Sequence, residues 1–521
     1  SYGKLRFVSG INPQSFSREL TPETHFDTPE AVLSYSSNGY GGLSRQLHSF
    51  IREHIVRGVW KRRPRPVLLN SWEACYFKID ERKLLQLAKV GADVGIELFV
   101  MDDGWFSGRN DDTSSLGDWE PDPKKLPGGI ASLSKKLKAL GVDFGLWVEP
   151  EMISENSRLY QEHPDWAMMI PGHPHSEGRN QRLLDLSNPE VQQYVIDSMT
   201  KVFSSGDIRY VKWDMNRNFS DIYSPYLPAA KQGETAHRYV LGLYHIMDEL
   251  TTRFPEILFE GCSSGGNRFD LGILSYFPQI WASDNTDALC RTGIQNSYSY
   301  GYPLSVFTAH VSSCPNHQTL RITPLETRFQ VASFGVLGYE CNLKDLSGSD
   351  LNAIREQIAL YKKWRDVFQF GSFYRGAENE ASDSETLSWT CVSPDGRRAV
   401  GLFFRRLTTP NQSHDWYRPV GLLPDVKYHF YGRNIKYNLK DFGDLVNTVS
   451  PVHIKQGSAL QEILSRFVNM DGEKEELTAY GDTLMRAGIA LKPAFAGTGY
   501  NSDTRLFPDF SSRIYFMEAA E

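Results

Sequence analysis

The sequence is poor in several features that would each point to a class of protein. Its 521 residues include only six cysteines (Cys75, Cys262, Cys290, Cys314, Cys341 and Cys391), and no two of them form a CxxC pair. So sparse a set argues against a disulfide framework and against zinc-ligand spacing, and free thiols in a reducing compartment such as the cytoplasm are expected. No apolar run approaches the ~18–20 residues of a membrane span. There is no basic tract, and 56 Lys and Arg against 63 Asp and Glu leave a net charge of −7. That balance disfavours nucleic acid and anionic membrane as partners. No glycine-rich phosphate loop follows the first apolar strand, and Gly265-Gly266 is not followed by Lys-Ser/Thr. The chain starts Ser1-Tyr2-Gly3-Lys4, without initiator Met or signal h-region, which reads as a processed, trimmed or excised chain.

What the chain has is an ordinary globular composition, 40% hydrophobic and 23% charged, with aromatics at 12%. Aromatic rings fill cores, and they also stack on the apolar faces of sugars. From about residue 67 to 345, short apolar strands alternate with helical periodicity. The strand segments are 67–72, 96–101, 142–149, 183–186, 208–213, 257–260, 279–282 and 334–339. Between them, Leu84, Leu87, Ala88 and Gly91 fall at helical spacing, and Leu133, Leu137 and Leu140 run into a terminating Gly141. Asn188-Pro189 opens a further helix with proline in its first turn.

Strand–helix alternation implies a parallel sheet, and eight units imply an α/β fold of the (β/α)₈ TIM-barrel type. After Gly376 the pattern becomes short strands and turns, with Pro394-Asp395-Gly396 between two of them. The expected division is 1–60 as the end of an N-terminal β domain plus a linker helix, 61–380 as the barrel, and 381–521 as a C-terminal antiparallel β-sandwich.

Barrel sites lie at the C-terminal ends of the strands. There the sequence puts Trp72 and Glu73; Asp102, Asp103 and Trp105; Trp147 and Glu149; Arg179 and Asp185; Lys212 and Asp214; Cys262; and Asp284 and Asp287. The most informative pair is Lys212 and Asp214. Residues i and i+2 of a strand share a face, and a neighbouring cation favours an ionised carboxylate. An anionic aspartate is what a carboxylate nucleophile requires, although a structural ion pair has the same spacing. Two carboxylates on different strands suit glycoside hydrolysis, one as nucleophile and the other as a general acid held neutral by its surroundings. Asp284, beside Trp281, is the candidate acid. His173 and His175 form an HxH within a turn-rich stretch that reads as a surface loop. His310 and His317 read as buried structural side chains. Asn218-Phe219-Ser220 and Asn411-Gln412-Ser413 are sequons, with meaning only in a secreted protein.

Several motifs occur in order: Asp102-Asp103-Gly104-Trp105, Lys212-Trp213-Asp214-Met215-Asn216-Arg217, Gly261-Cys262-Ser263-Ser264-Gly265-Gly266, Ser283-Asp284-Asn285-Thr286-Asp287, Pro315-Asn316-His317-Gln318 and Ala496-Gly497-Thr498-Gly499-Tyr500-Asn501. Together they resemble glycoside hydrolase family 36, the microbial α-galactosidases, from about residue 60 to the C-terminus. The resemblance implies a retaining exo-α-galactosidase acting on α-galactoside oligosaccharides or glycans, with Asp214 as nucleophile and Asp284 as acid/base. It implies that Asp102 and Asp103 grip the sugar's O4 and O6, that Lys212 and Arg179 hydrogen-bond its hydroxyls, and that Trp147 and Cys262 line the same subsite. It implies no cofactor and no metal, and a homo-oligomer. Strand alternation would aim only one of Asp102 and Asp103 inward, so the strand is expected to end there. An α-N-acetylgalactosaminidase is the nearest alternative, followed by a raffinose-type transglycosylase and a non-catalytic galactoside-binding protein. Long-type members carry a large β domain before the barrel, where this chain has about 60 residues.

Overall fold

The computed structural model describes residues 3, 6–377, 385–409, 414–495, 500 and 503–520. Ala496–Gly499 and Asn501 of the last motif, and the sequon at 411–413, lie outside them. Eight strands close a parallel barrel in chain order: Leu68–Asn70, Leu98–Met101, Asp143–Val148, Ile208–Trp213, Leu258–Gly261, Gln279–Trp281, Phe307–Ser312 and Val336–Glu340. Their residues are almost all buried, as expected of strands covered by helices on one side and packed into a barrel on the other.

The intervening helices form for local reasons that the sequence carries. In Glu81–Val94, Asp80 caps the N-terminus by accepting from the Lys83 amide. Its buried stripe is Leu84, Leu87, Ala88, Gly91 and Val94, and Gly95 ends it at φ +102°. Pro189–Phe203 starts at Asn188, which accepts from the Glu190 amide, and Pro189 stands in the first turn.

One expected barrel strand is not one. Arg182–Leu183 pairs antiparallel with Met152–Ile153 in a ribbon within the excursion between the third and fourth barrel strands. The missing member is Phe307–Ser312, in which Thr308, His310 and Ser312 alternate with Phe307, Ala309 and Val311. All six are buried, so the polar half of the alternation is inside the protein, and the segment lacks the continuous apolar run of its neighbours. Lys212 and Asp214 therefore stand at the end of the fourth strand, where the count of apolar segments had implied the fifth.

By its contacts the chain divides into two compact units, Ser1–Asp284 with Glu340–Lys344, and Asn285–Tyr339 with Asp345–Glu521. In the first, a helix at Gly39–Phe50 continues as a wider turn through Ile55. The second contains a six-stranded antiparallel sheet in the order Ser372–Arg375, Thr386–Val392, Arg398–Arg405, Ser511–Ala519, Lys427–Gly432, Glu476–Tyr480. One core joins Phe403, Phe430, Tyr515 and Met517 of this sheet to Tyr417 and Ile489 of a small covering ribbon. Among the described residues, no helix is long and apolar enough to cross a membrane.

Gly145 has a specific task in the barrel. The pairing of the third and fourth strands shifts register between Phe144 and Gly145. A Cβ on Gly145 would lie 2.8 Å from both Cβ and Cδ1 of Tyr210 and 3.0 Å from its carbonyl oxygen. Tyr210 is buried, so the side chain that must give has little room. Gly145→Ala is expected to cost about 1–3 kcal/mol of stability through overpacking, measured as a lower denaturant midpoint at unchanged slope.

Candidate active site

Every residue of the candidate site lies in the first unit. The second strand ends at Met101, so Asp102 and Asp103 follow it outside strand geometry, as two adjacent inward-facing acids require. Both are buried. Asp102 Oδ2 accepts from Lys212 Nζ at 3.0 Å and from Asn70 Nδ2 at 2.7 Å, while its Oδ1 accepts from the Asp103 amide at 2.9 Å. Asp103 is held by Arg109, which places Nε 3.0 Å from Oδ1 and Nη2 2.8 Å from Oδ2. This bidentate fork fixes the carboxyl's plane as well as its charge.

Asp214 follows the fourth strand and is 6% exposed. Burying a carboxylate that deeply requires that its lost water be replaced. Oδ1 accepts from the Met215 amide at 2.8 Å and the Ser264 amide at 3.1 Å. Oδ2 accepts from Asn216 Nδ2 at 2.7 Å and Trp147 Nε1 at 3.1 Å. Burial by itself would raise the pKa. The Lys212 charge, followed by the hydrogen bonds from Ser264 and Asn216, outweighs it and holds the carboxyl below its ordinary range. Lys212 thus acts on Asp214 by charge while its ion-pair partner is Asp102. Its own pKa is driven well up: burial opposes the charge, and Asp102 overcomes that. The ring of Trp281 lies 5.8 Å from Lys212 Nζ.

Asp284 contrasts with Asp214 at each point. It stands after the sixth strand with its side chain open to solvent, and Trp281 Nε1 donates to its Oδ1 at 2.7 Å. The protein enclosing its inner side raises its pKa, and the Asp214 charge adds to that against the opposing pull of Lys212. One carboxyl is held anionic and its neighbour is biased towards the acid form.

A strained turn connects the two. Ser263, Ser264, Gly265 and Gly266 all have φ between +53° and +86°. Two consecutive non-glycine residues in the left-handed region cost of order 1–3 kcal/mol each and are held there by the surroundings. The turn aims the Ser264 amide at Asp214 and lays Gly265 against Asp284. A Cβ on Gly265 would sit 2.7 Å from the Asp284 amide nitrogen and 3.3 Å from its Cγ. Cys262, immediately before the turn, is a buried thiol pushed well above its ordinary pKa by burial and by the Asp214 charge.

Not every expected residue converges on this centre. Arg179 lies in an exposed loop at φ +51°, 3.9 Å from Asp112. Asp185 is a buried structural acid that accepts from Ser187 and Ser224. Asp287 caps the helix Ala288–Tyr298. His173 is exposed, and His317 is exposed where the sequence implied burial. No cluster of three or more metal-ligating side chains occurs among the described residues. Four participants had no assigned role: Asn70, Arg109, Asn216 and Glu149. Glu149 stood among the polar residues at the strand ends and Asn216 within a recognised motif two residues after Asp214, whereas Asn70 and Arg109 carried no signal.

A closed parallel barrel with an anionic carboxylate and a raised one on its C-terminal rim defines an acid–base site of the barrel-enzyme class. The sequence matches the Melibiase family model over residues 25–371 and the glycosyl hydrolase family 36 C-terminal domain over residues 386–517, and the chain belongs to that family. It is 46% identical over 434 residues to alpha-galactosidase AgaA of Geobacillus stearothermophilus, covering 83% of this chain and 59% of the relative. Alpha-galactosidase Mel36A of Lactobacillus acidophilus is 45% identical over 82% of this chain and 58% of its own length. The chain therefore spans less than two thirds of these relatives. The crystal structure of AgaA superposes with a TM-score of 0.84 at 42% identity, covering 98% of this chain and 63% of that one.

Gly265→Ala is expected to lower turnover at least tenfold, because the new methyl must displace the Asp284 backbone or the turn, and a sub-ångström shift at a reacting group is costly. Steady-state kinetics alongside a thermal melt would check this; an unchanged rate would show that the turn does not position Asp284.

Proposed function

We propose that this chain is the catalytic part of a retaining exo-α-galactosidase. The observation that carries the reading is the opposed electrostatics of Asp214 and Asp284, two carboxyls on separate strand ends with pKa values moved apart. The relatives support the sugar: variants of AgaA have been crystallised with raffinose and with stachyose.

In this mechanism Asp214 attacks the anomeric carbon while Asp284 delivers its proton to the departing glycosidic oxygen, leaving a galactosyl ester on Asp214. Asp284, now a carboxylate, takes a proton from water, and the hydroxide displaces Asp214 with net retention. The four hydrogen bonds to Asp214 hold the nucleophile in one plane and disfavour its protonation. Asp102, Asp103 and Lys212 form a polar wall for the sugar's hydroxyls, with Trp147 and Cys262 beside the nucleophile. A sugar whose hydroxyl stereochemistry leaves these buried groups unpaired is rejected.

On this reading the catalytic part is residues 61–380 and the C-terminal β-sandwich 381–521, with the strand Ser372–Arg375 already pairing into the C-terminal sheet. The enzyme is a cytoplasmic homo-oligomer.

Asp214→Gly is expected to abolish hydrolysis of nitrophenyl α-galactoside, with partial rescue by azide giving the β-galactosyl azide. An α-azide would exclude Asp214 as nucleophile. Comparison with the N-acetylgalactosaminide decides the preferred sugar, and faster turnover of that substrate would reverse the assignment. The pH profile of kcat/KM follows from the two shifts. Asp214 must be ionised and its pKa is lowered, so the acid limb lies below the ordinary carboxylate range. Asp284 must be protonated and its pKa is raised, so activity persists above that range and falls as pH passes through the Asp284 value. Asn216→Leu removes one donor from Asp214 and is expected to move the acid limb upward and leave the alkaline limb in place.

A further inference from the structure

Two glutamates follow the third strand two residues apart, and both are fully buried. Glu151 is matched by charge: Arg268 donates to it at 2.9 and 2.7 Å, and Trp213 Nε1 and Tyr239 Oη complete its shell at 2.8 and 2.7 Å. Glu149 has no such partner. Among the described residues its hydrogen-bond donors are both neutral, the Asn216 backbone amide on Oε1 and Gln181 Nε2 on Oε2 at 3.1 Å. Asn216 is the residue whose side-chain amide holds Asp214 Oδ2.

We propose that Glu149 is a positioning residue for Asp214: its carboxyl anchors the backbone of Asn216, so that the Asn216 side chain presents its hydrogen bond to the nucleophile. This rests on the reading of Asp214 given above. The second oxygen ties the same carboxyl to Gln181, whose carbonyl oxygen accepts from Arg217 Nη1, so both ends of the segment 216–217 are fastened through one buried pair.

The surroundings decide the form in which Glu149 does this. Burial, and then the Asp214 anion, push it up to about 8, against the pull of Arg109; Asp103 also raises it. Asp214 faces it from the end of the fourth strand, and Arg109 and Asp103 face it from the segment after the second. Below that value the carboxyl is neutral and bears a hydroxyl proton. Gln181 Oε1 is buried without a hydrogen-bond partner among the described residues. Rotation of that amide about its terminal bond, an orientation that heavy-atom positions do not distinguish, sets an acceptor opposite the Glu149 hydroxyl. A neutral Glu149 thus anchors Asn216 without adding a second anion beside the nucleophile.

The test compares Glu149→Ala and Glu149→Gln in the full chain, with circular dichroism and thermal melts to confirm folding. Because Glu149 is uncharged across the acid limb, removing it subtracts no charge there, so a moved limb reports lost geometry. Glu149→Ala is expected to lower kcat about a hundredfold, with a smaller change in KM and the acid limb moved upward. Glu149→Gln keeps an acceptor for Asn216 and is expected to restore most of kcat and return the limb to its wild-type place. Equal losses in the two variants, or an unmoved limb in Glu149→Ala, would overturn the proposal. A second readout needs no turnover: the backbone amide resonance of Asn216 in the wild-type chain should titrate with a midpoint near 8 and be static in Glu149→Gln. A static wild-type resonance would also overturn it. If no α-galactoside is hydrolysed, the functional reading has failed separately, and the Asn216 resonance still decides whether Glu149 anchors that segment.

Discussion

A carboxylate withdrawn from water must recover its hydrogen bonds from the protein, and at Asp214 this requirement organises the surrounding fold. Its donors come from three places in the chain: Trp147 on the third strand, Met215 and Asn216 just after the fourth, and Ser264 in the turn after the fifth. None of these is a cation. They fix direction as well as charge, and the cation that acts on Asp214, Lys212, is itself bound to Asp102. Removing any one donor leaves an under-solvated buried anion, a costlier fault than the loss of an exposed ion pair.

The same requirement accounts for strain elsewhere. Four successive left-handed residues at 263–266 are unfavourable for an isolated chain. They persist because that path directs the Ser264 amide at Asp214 and lays Gly265 on the Asp284 backbone in one step. Gly145 plays a comparable part inside the barrel, where the closeness of Tyr210 leaves no space for a methyl group and the third strand bears Trp147 two residues on. Carboxyl groups are sorted by what faces them. Glu151 meets an arginine, Asp214 meets four neutral donors and a nearby lysine charge, and Glu149 meets only neutral donors with an anion close by.

Much of the fold was legible because parallel barrel strands are short, apolar and followed by turn or polar residues, and most of the segments with that texture are strands. The error at 183–186 has a clear source. A short buried apolar run satisfies both a barrel strand and a two-residue ribbon, and local pattern does not report what a segment pairs with. The omission of Phe307–Ser312 is the converse, since its buried Thr308, His310 and Ser312 disguise a barrel strand as an amphipathic one. In the site, Asp102, Asp103, Lys212, Asp214 and Asp284 were visible as polar residues closing apolar runs. Arg109 was not, because it lies in a loop and is recruited only by the fork it makes to Asp103.

The sequence by itself determined which residue types stand at the ends of which strands, since strand period, turn residues and composition are local properties. It also placed Lys212 and Asp214 on one face. Only the tertiary structure decided their partners: Lys212 pairs with Asp102, 110 residues away in the chain, and Asp214 takes a hydrogen bond from Ser264, 50 residues on. Pairing across such distances follows from barrel closure, which sets strand ends side by side irrespective of their separation in sequence. The charge state of each carboxyl then follows from burial and neighbours, quantities that do not exist until the chain has closed.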